Sequence, residues 1–177
     1  MDFETSILKL LQESFASIGA DGSFREHYTR VYFNAMTHFV ELEGDIPAGI
    51  MQMLRFEDSR GLRGGYFYGL FTLPQYRCRG IGRGLISDAI ATLYCDSFDY
   101  VVLIPHSAES MRWYRKVGFD TIGNHHITVR GFDGTVLTTG KDTSLPAMYY
   151  PLHDNFSQIP TDPTIIIPPQ DCFGFEF

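Results

Sequence analysis

The residues whose types and spacing most suggest chemistry are Arg77-Cys78-Arg79-Gly80-Ile81-Gly82-Arg83, a basic, glycine-rich run. It lies directly ahead of an apolar-periodic stretch, Ile81 to Tyr94, that the spacing predicts to be a helix. A helix start leaves about four backbone N–H groups without internal partners. The macrodipole adds partial positive charge there, so an anion is stabilised at such a start. Gly80 and Gly82 remove side chains that would block a phosphate, while Arg77, Arg79 and Arg83 supply charge at the rim. The chemistry implied is the holding of a phosphate or pyrophosphate. Two familiar phosphate loops are excluded. The chain has no GxxxxGK[ST], and Gly80, Gly82 and Gly84 are spaced two apart, which is not GxGxxG.

In its context the run resembles the cofactor motif [RQ]xxGx[GA] of the GNAT N-acetyltransferases, here Arg77-Cys78-Arg79-Gly80-Ile81-Gly82. A second element, Tyr114-Arg115-Lys116-Val117-Gly118-Phe119, is similar to that family's YxxxGF signature and follows the next strand and helix start. The resemblance covers about residues 37–152. It implies an α/β (α+β) fold with a splayed, mixed central sheet and helices on both faces. It implies acetyl-CoA as co-substrate and direct acetyl transfer to a primary amine of a small-molecule or peptide acceptor.

By the same resemblance, backbone groups of Leu70, Phe71 and Thr72 pair with the pantetheine arm. The N–H groups of Cys78, Arg79, Gly80, Ile81, Gly82 and Arg83, with Arg77 beside them, hold the pyrophosphate. A backbone N–H near Thr72 serves the oxyanion. Tyr114 protonates the leaving thiolate, for which a phenol of pKa ~10 is matched well enough to a thiol of ~8.5. Its alternative reading is core packing, since Met111, Tyr114 and Val117 share a helix face. Two positions depart from the family pattern. Cys78 stands where members often have Gly, and Ser107 stands where many have a cofactor-contacting Asn, although serine equally suits a helix N-cap. The first strand usual in the family is not evident ahead of Ser6–Ser17.

For the general base, His38, Glu41, Glu43, His106 and Glu109 qualify by type, and none is singled out. Glu41 and Glu43 lie near a hairpin turn, where exposed charge is the ordinary arrangement. Cys78 is not needed as a nucleophile, because the acyl group arrives activated. Two other functions stay open on the same scaffold: a non-catalytic acyl-CoA-binding module and a protein-interaction module.

The elements that must position these residues follow from periodicity. Ser6–Ser17 reads as an amphipathic helix, and Ser23 to Ala35 as a second, with Ser23 and Glu26 at capping-box spacing. Thr37–Leu42 and Ala48–Phe56 read as a hairpin around Glu43-Gly44-Asp45. Asp58 to Gly65 is a charged loop. Gly65–Leu73 lacks alternation and suits a central strand buried on both faces, stopped by Pro74. Asp99–Ile104 is a short strand, and Ser107–Val117 a helix closed by Gly118. Ile122–Arg130 and Ala147–Leu152 read as two late strands around a turn at Asp133-Gly134.

Composition sets the outer bounds. A chain of 177 residues with 44% hydrophobic and 20% charged residues suits one globular domain. We place that domain at residues 1–153. Residues 154–177 are rich in proline and aromatics and read as a tail packed on the domain or on a partner chain, which allows a homodimer. The net charge of −7 argues against nucleic acid as partner. Locally, Arg55, Arg60, Arg63, Arg77, Arg79 and Arg83 form a basic segment that suggests an anion site. No apolar run approaches the ~20 residues of a membrane span, and no signal peptide is visible. Cys78, Cys95 and Cys172 have no metal-ligand spacing, nor does His125-His126, so no metal site is expected and reduced thiols in the cytoplasm are the simplest reading.

Overall fold

The computed structural model describes residues 3–17, 36–58, 60–122, 128–130, 136–139, 145–153 and 164–166. The elements are α1 (Phe3–Ser17), β1 (Thr37–Glu43), β2 (Ile46–Glu57), β3 (Arg63–Thr72), a short 3-10 turn (Pro74–Tyr76) and α2 (Ile81–Cys95). Then come β4 (Tyr100–Leu103), α3 (Ala108–Lys116), β5 (Asp120–Thr121), β6 (Thr128–Arg130), β7 (Val136–Thr139), β8 (Met148–Pro151) and β9 (Thr164–Ile166). Six strands form a mixed sheet in the order β1-β2-β3-β4-β8-β5, and β7-β6-β9 form a smaller one. The fold is mixed α/β, as the resemblance implies. β3 and β4 are neighbours in the sheet order, with α2 between them in the chain.

The chain divides into two compact units, with the cut passing through β2, β3 and α2. In the first (residues 1–53 and 67–89), α1 turns Ile7, Leu10, Leu11 and Ser14 inward, the spacing of one helix face. β1 and β2 pair antiparallel from Thr37↔Met53 to Glu43↔Ile46 around Gly44, whose φ of +64° needs a glycine. The centre of β2 is apolar apart from Gln52: Ala48, Ile50, Met51 and Met53 are fully buried. The first turn of α2 is pinned against it. A Cβ on Gly49 would lie 2.6 Å from Ile81 Cγ2, so glycine is what permits this approach.

In the second unit (residues 54–66 and 90–169), β8 pairs antiparallel with both β4 and β5. Tyr100, Val101, Val102 and Leu103 of β4 are all buried, as are Leu93 and Phe98. This corrects the expected late hairpin. Residues 148–151 pair with Tyr100–Leu103, whereas Thr128–Arg130 pair with Val136–Thr139 and, in parallel, with Thr164–Ile166. Of the strand expected over Ile122–Arg130, only Thr128–Arg130 is described as strand, in the smaller sheet, while the two-residue β5 just ahead of it, Asp120–Thr121, belongs to the six-stranded one. The expected helix Ser23–Ala35, the turn Asp133-Gly134 and Cys172 lie outside the described residues.

Candidate active site

In the first unit, β3 runs into the basic loop through a tightly tied corner. Leu73 N–H donates to Ala48 O at 2.9 Å, holding the strand end on β2. Pro74 opens the 3-10 turn, closed by Tyr76 N–H to Leu73 O (2.9 Å) and Arg77 N–H to Pro74 O (3.3 Å). Arg77 then folds back: its Nε donates to Thr72 O at 3.1 Å, and its guanidinium lies 5.9 Å from the Phe71 ring centre. Arg79 sits 5.3 Å from the ring of Tyr76. Both cations are thus carried on aromatic faces, with exposed charge.

The first α-helical hydrogen bond of α2 is Gly84 N–H to Gly80 O, at 3.0 Å. The N–H groups of Ile81, Gly82 and Arg83 come before it and have no carbonyl one turn back in the helix. Gly80 has φ +87° and nothing within 4 Å of where a Cβ would stand, so glycine is required there by conformation and the space beside it is open. Ile81 is the loop's anchor, buried against Gly49. Cys78, where the family pattern often has Gly, holds φ +62°, a left-handed conformation that costs a non-glycine residue about 1–2 kcal/mol. Its thiol is exposed and unpaired.

In the second unit, Ser107 caps α3. Its Oγ accepts from Ser110 N–H at 3.1 Å, and Ser107 N–H donates to Ser110 Oγ at 3.1 Å, a reciprocal capping box. Any cofactor contact of this hydroxyl would be additional to the cap. No residue of α3 is fully buried, so Tyr114 is half-buried rather than part of a closed core. Its ring meets Trp113 at 5.1 Å and Phe119 at 5.7 Å, both edge-on, and Phe119 continues to Tyr150 at 5.5 Å. Withdrawal from water pushes the Tyr114 hydroxyl up to about 12. The phenol therefore stays protonated at neutral pH.

The family model for the acetyltransferase (GNAT) family matches residues 5–119. The chain belongs to that family. Among solved structures, a GNAT family N-acetyltransferase (YhbS) from Escherichia coli in complex with CoA is similar at 16% identity and TM-score 0.66, over 92% of this chain and 83% of that one. A predicted acetyltransferase from Clostridium acetobutylicum with acetyl-CoA is similar at 17% identity and TM-score 0.58, over 66% of this chain and 83% of that one. An aminoglycoside 6'-N-acetyltransferase complexed with coenzyme A is similar at 11% identity and TM-score 0.57, over 86% and 92%. At these identities the structures speak for the fold alone. No protein of curated function matches the sequence.

In this GNAT acetyltransferase, three arginines of the basic segment are engaged within the protein. Arg55 pairs with Asp96 at 2.8 Å, Arg60 with Asp58 at 2.9 Å, and Arg63 donates to Asp96 O at 3.0 Å. Those three are structural. Arg77, Arg79 and Arg83 form no ion pair among the described residues. Of the base candidates, Glu41, Glu43, His106 and Glu109 are exposed and His38 is half-buried. Among the described residues no cluster could hold a metal ion, and no helix is long and apolar enough to cross a membrane.

Sequence reasoning missed one polar centre of the first unit, Gln52 beside Gly69. Its only sequence signals are a glutamine inside an apolar strand and a glycine inside an aromatic one.

Proposed function

We propose that this acetyltransferase moves the acetyl group of acetyl-CoA to a primary amine by direct attack, without an acyl-enzyme. One observation carries the reading: the Arg77–Arg83 loop, with three N–H groups ahead of the first helical bond, open space at Gly80 and three arginines without ion pairs among the described residues. A pyrophosphate is the anion that suits this arrangement. The N–H groups from Cys78 to Arg83 hold it. Leu70, Phe71 and Thr72 offer strand backbone to the pantetheine, and a backbone N–H near Thr72 faces the oxyanion.

The amine nitrogen bonds to the thioester carbon as the C–S bond breaks. Tyr114 gives its proton to the departing sulfur, and the amine releases one in turn, so the products are the N-acetyl amine and CoA thiol. We assign no residue as base. We read residues 154–177 as a strap over the domain or a second copy, and the cytoplasm as the compartment.

The test is the melting temperature with and without excess acetyl-CoA. At about 100 times its dissociation constant, a ligand of the folded state adds about 2.7 kcal/mol. The expected result is a clear rise that disappears when Gly80 and Gly82 are both changed to valine. No rise with acetyl-CoA, CoA or longer acyl-CoAs would remove the cofactor reading and favour an interaction module.

A further inference from the structure

Strand β2 carries one polar side chain in its apolar centre. Gln52 is as fully buried as Ile50, Met51, Met53 and Leu54 around it. Its Nε2 lies 3.5 Å from Nδ1 of His38, its cross-strand partner on β1. Its Oε1 is buried and has no hydrogen-bond partner among the described residues. An orphaned acceptor is costly, and methionine would fill the same volume without one. The oxygen lies over Gly69 of β3, where a Cβ would come within 2.9 Å of it. Gly69 itself holds φ +61°, a left-handed residue inside a strand. Such a residue re-aims the chain locally, and here it immediately precedes Leu70. Two breaches of local rules, an unpaired buried carbonyl and a bent strand, thus coincide where β3 enters the segment assigned to the pantetheine. Coincident breaches of this kind are expected where function overrides stability.

We propose that Gln52 Oε1 is a contact for the acceptor substrate, receiving an N–H of the incoming primary amine. This rests on the acetyl-transfer reading above. A carboxamide is a neutral acceptor. It binds one N–H without adding the charge that would favour ammonium over the free amine, and leaves the nitrogen lone pair for the carbonyl. The oxygen is closed to water, so contact with an amine requires displacement of what covers it; the half-buried backbone of Gly69 is the part of β3 that lies against it. Gln52 donates and accepts no proton in the reaction.

The experiment compares wild type with Gln52→Met, and with Gln52→Leu should the first not fold. Acetyl-CoA binding is read as the rise in melting temperature. Thiol release is followed with tyramine, spermidine and trialanine amide as acceptors, and the best wild-type acceptor is carried forward. The expected result is a split. Gln52→Met melts about 2–4 °C higher, since the orphaned oxygen is gone. Its response to acetyl-CoA and its KM for acetyl-CoA are unchanged, and its KM for the amine rises about tenfold or more. An unchanged amine KM overturns the proposal and leaves Gln52 a packing residue. A wild type that responds to acetyl-CoA but turns over none of the three amines overturns it together with the amine-transfer reading. A wild type that does not respond to acetyl-CoA overturns the cofactor reading on which both stand.

Discussion

At the scale of single residues, two ionisable side chains show how environment sets a role. Tyr114 has its pKa pushed up to about 12 by loss of water. The donor form of a phenol is the protonated one, so it persists below that value. We expect Tyr114→Phe to lower kcat by about 10²-fold or more with the acetyl-CoA melting shift intact. The wild-type rate should show no loss from tyrosine ionisation through pH 10. Unchanged turnover in the phenylalanine variant would return Tyr114 to packing. Asp58 is the opposite case. Burial pushes its pKa up, but hydrogen bonds from the Arg60 side chain and from the Arg60 and Leu62 backbone outweigh that and leave it below 3.8. A depressed carboxylate stabilises the fold above its unfolded pKa and loses that contribution as pH falls through the folded value. Asp58→Ala should cost about 1.5–3 kcal/mol at pH 7, and the gap from wild type should close in acid, as read from denaturant midpoints across pH. Tyr114 and the loop stand out as candidates from motif letters. Asp58 and Gln52 could not, because their importance lies in burial beside Tyr100 and Gly69, which only the assembled strands supply.

At the scale of elements, the loop is placed by contacts on either side of it rather than by its own sequence. Arg77 returns to Thr72 O, and Ile81 is seated on Gly49. The hairpin β1–β2, β3, α2 and α3 were legible within a residue or two, because each has a strong period and a punctuating Gly or Pro. Of the late strands, β8 matches the expected Ala147–Leu152 to within a residue, but its partners were not legible, because pairing is settled by distant neighbours; β5, with two residues, is too short to show a period. Asp133-Gly134 reads as a hairpin turn and says nothing about which strand residues 148–151 will join. Gly49→Val tests the seating of α2. Its Cβ would meet Ile81 Cγ2 at 2.6 Å, Leu85 Cδ1 at 3.3 Å and Phe71 O at 3.3 Å. Overpacking of this kind costs about 1–3 kcal/mol. We expect a lower melting temperature and a weaker response to acetyl-CoA, since Ile81 and the strand end both border the loop. A variant that melts lower yet keeps the full response would show that the loop tolerates movement of α2.

At the scale of the whole molecule, an anionic ligand meets a protein of net charge −7. The two facts are reconciled by distance. Arg55 and Arg60 are ion-paired with Asp96 and Asp58, so these two add little field outside the protein, and Arg63 is tied to the Asp96 carbonyl. The exposed arginines of the loop remain, beside the proposed pyrophosphate site. At 0.1 M salt the screening length is about 10 Å, so the dispersed negative charge is largely screened while the loop is not. Raising salt further should then weaken binding, because the remaining favourable interaction is the one being screened. We expect the dissociation constant for CoA, measured calorimetrically, to rise several-fold between 0.1 and 0.5 M NaCl. Arg79→Gln with Arg83→Gln should bind more weakly at 0.1 M and lose most of that slope, whereas Arg55→Gln should leave the slope unchanged. A slope that survives loss of the loop arginines would mean that the anion is held elsewhere, and a slope carried by Arg55 would mean that its pairing with Asp96 opens in solution.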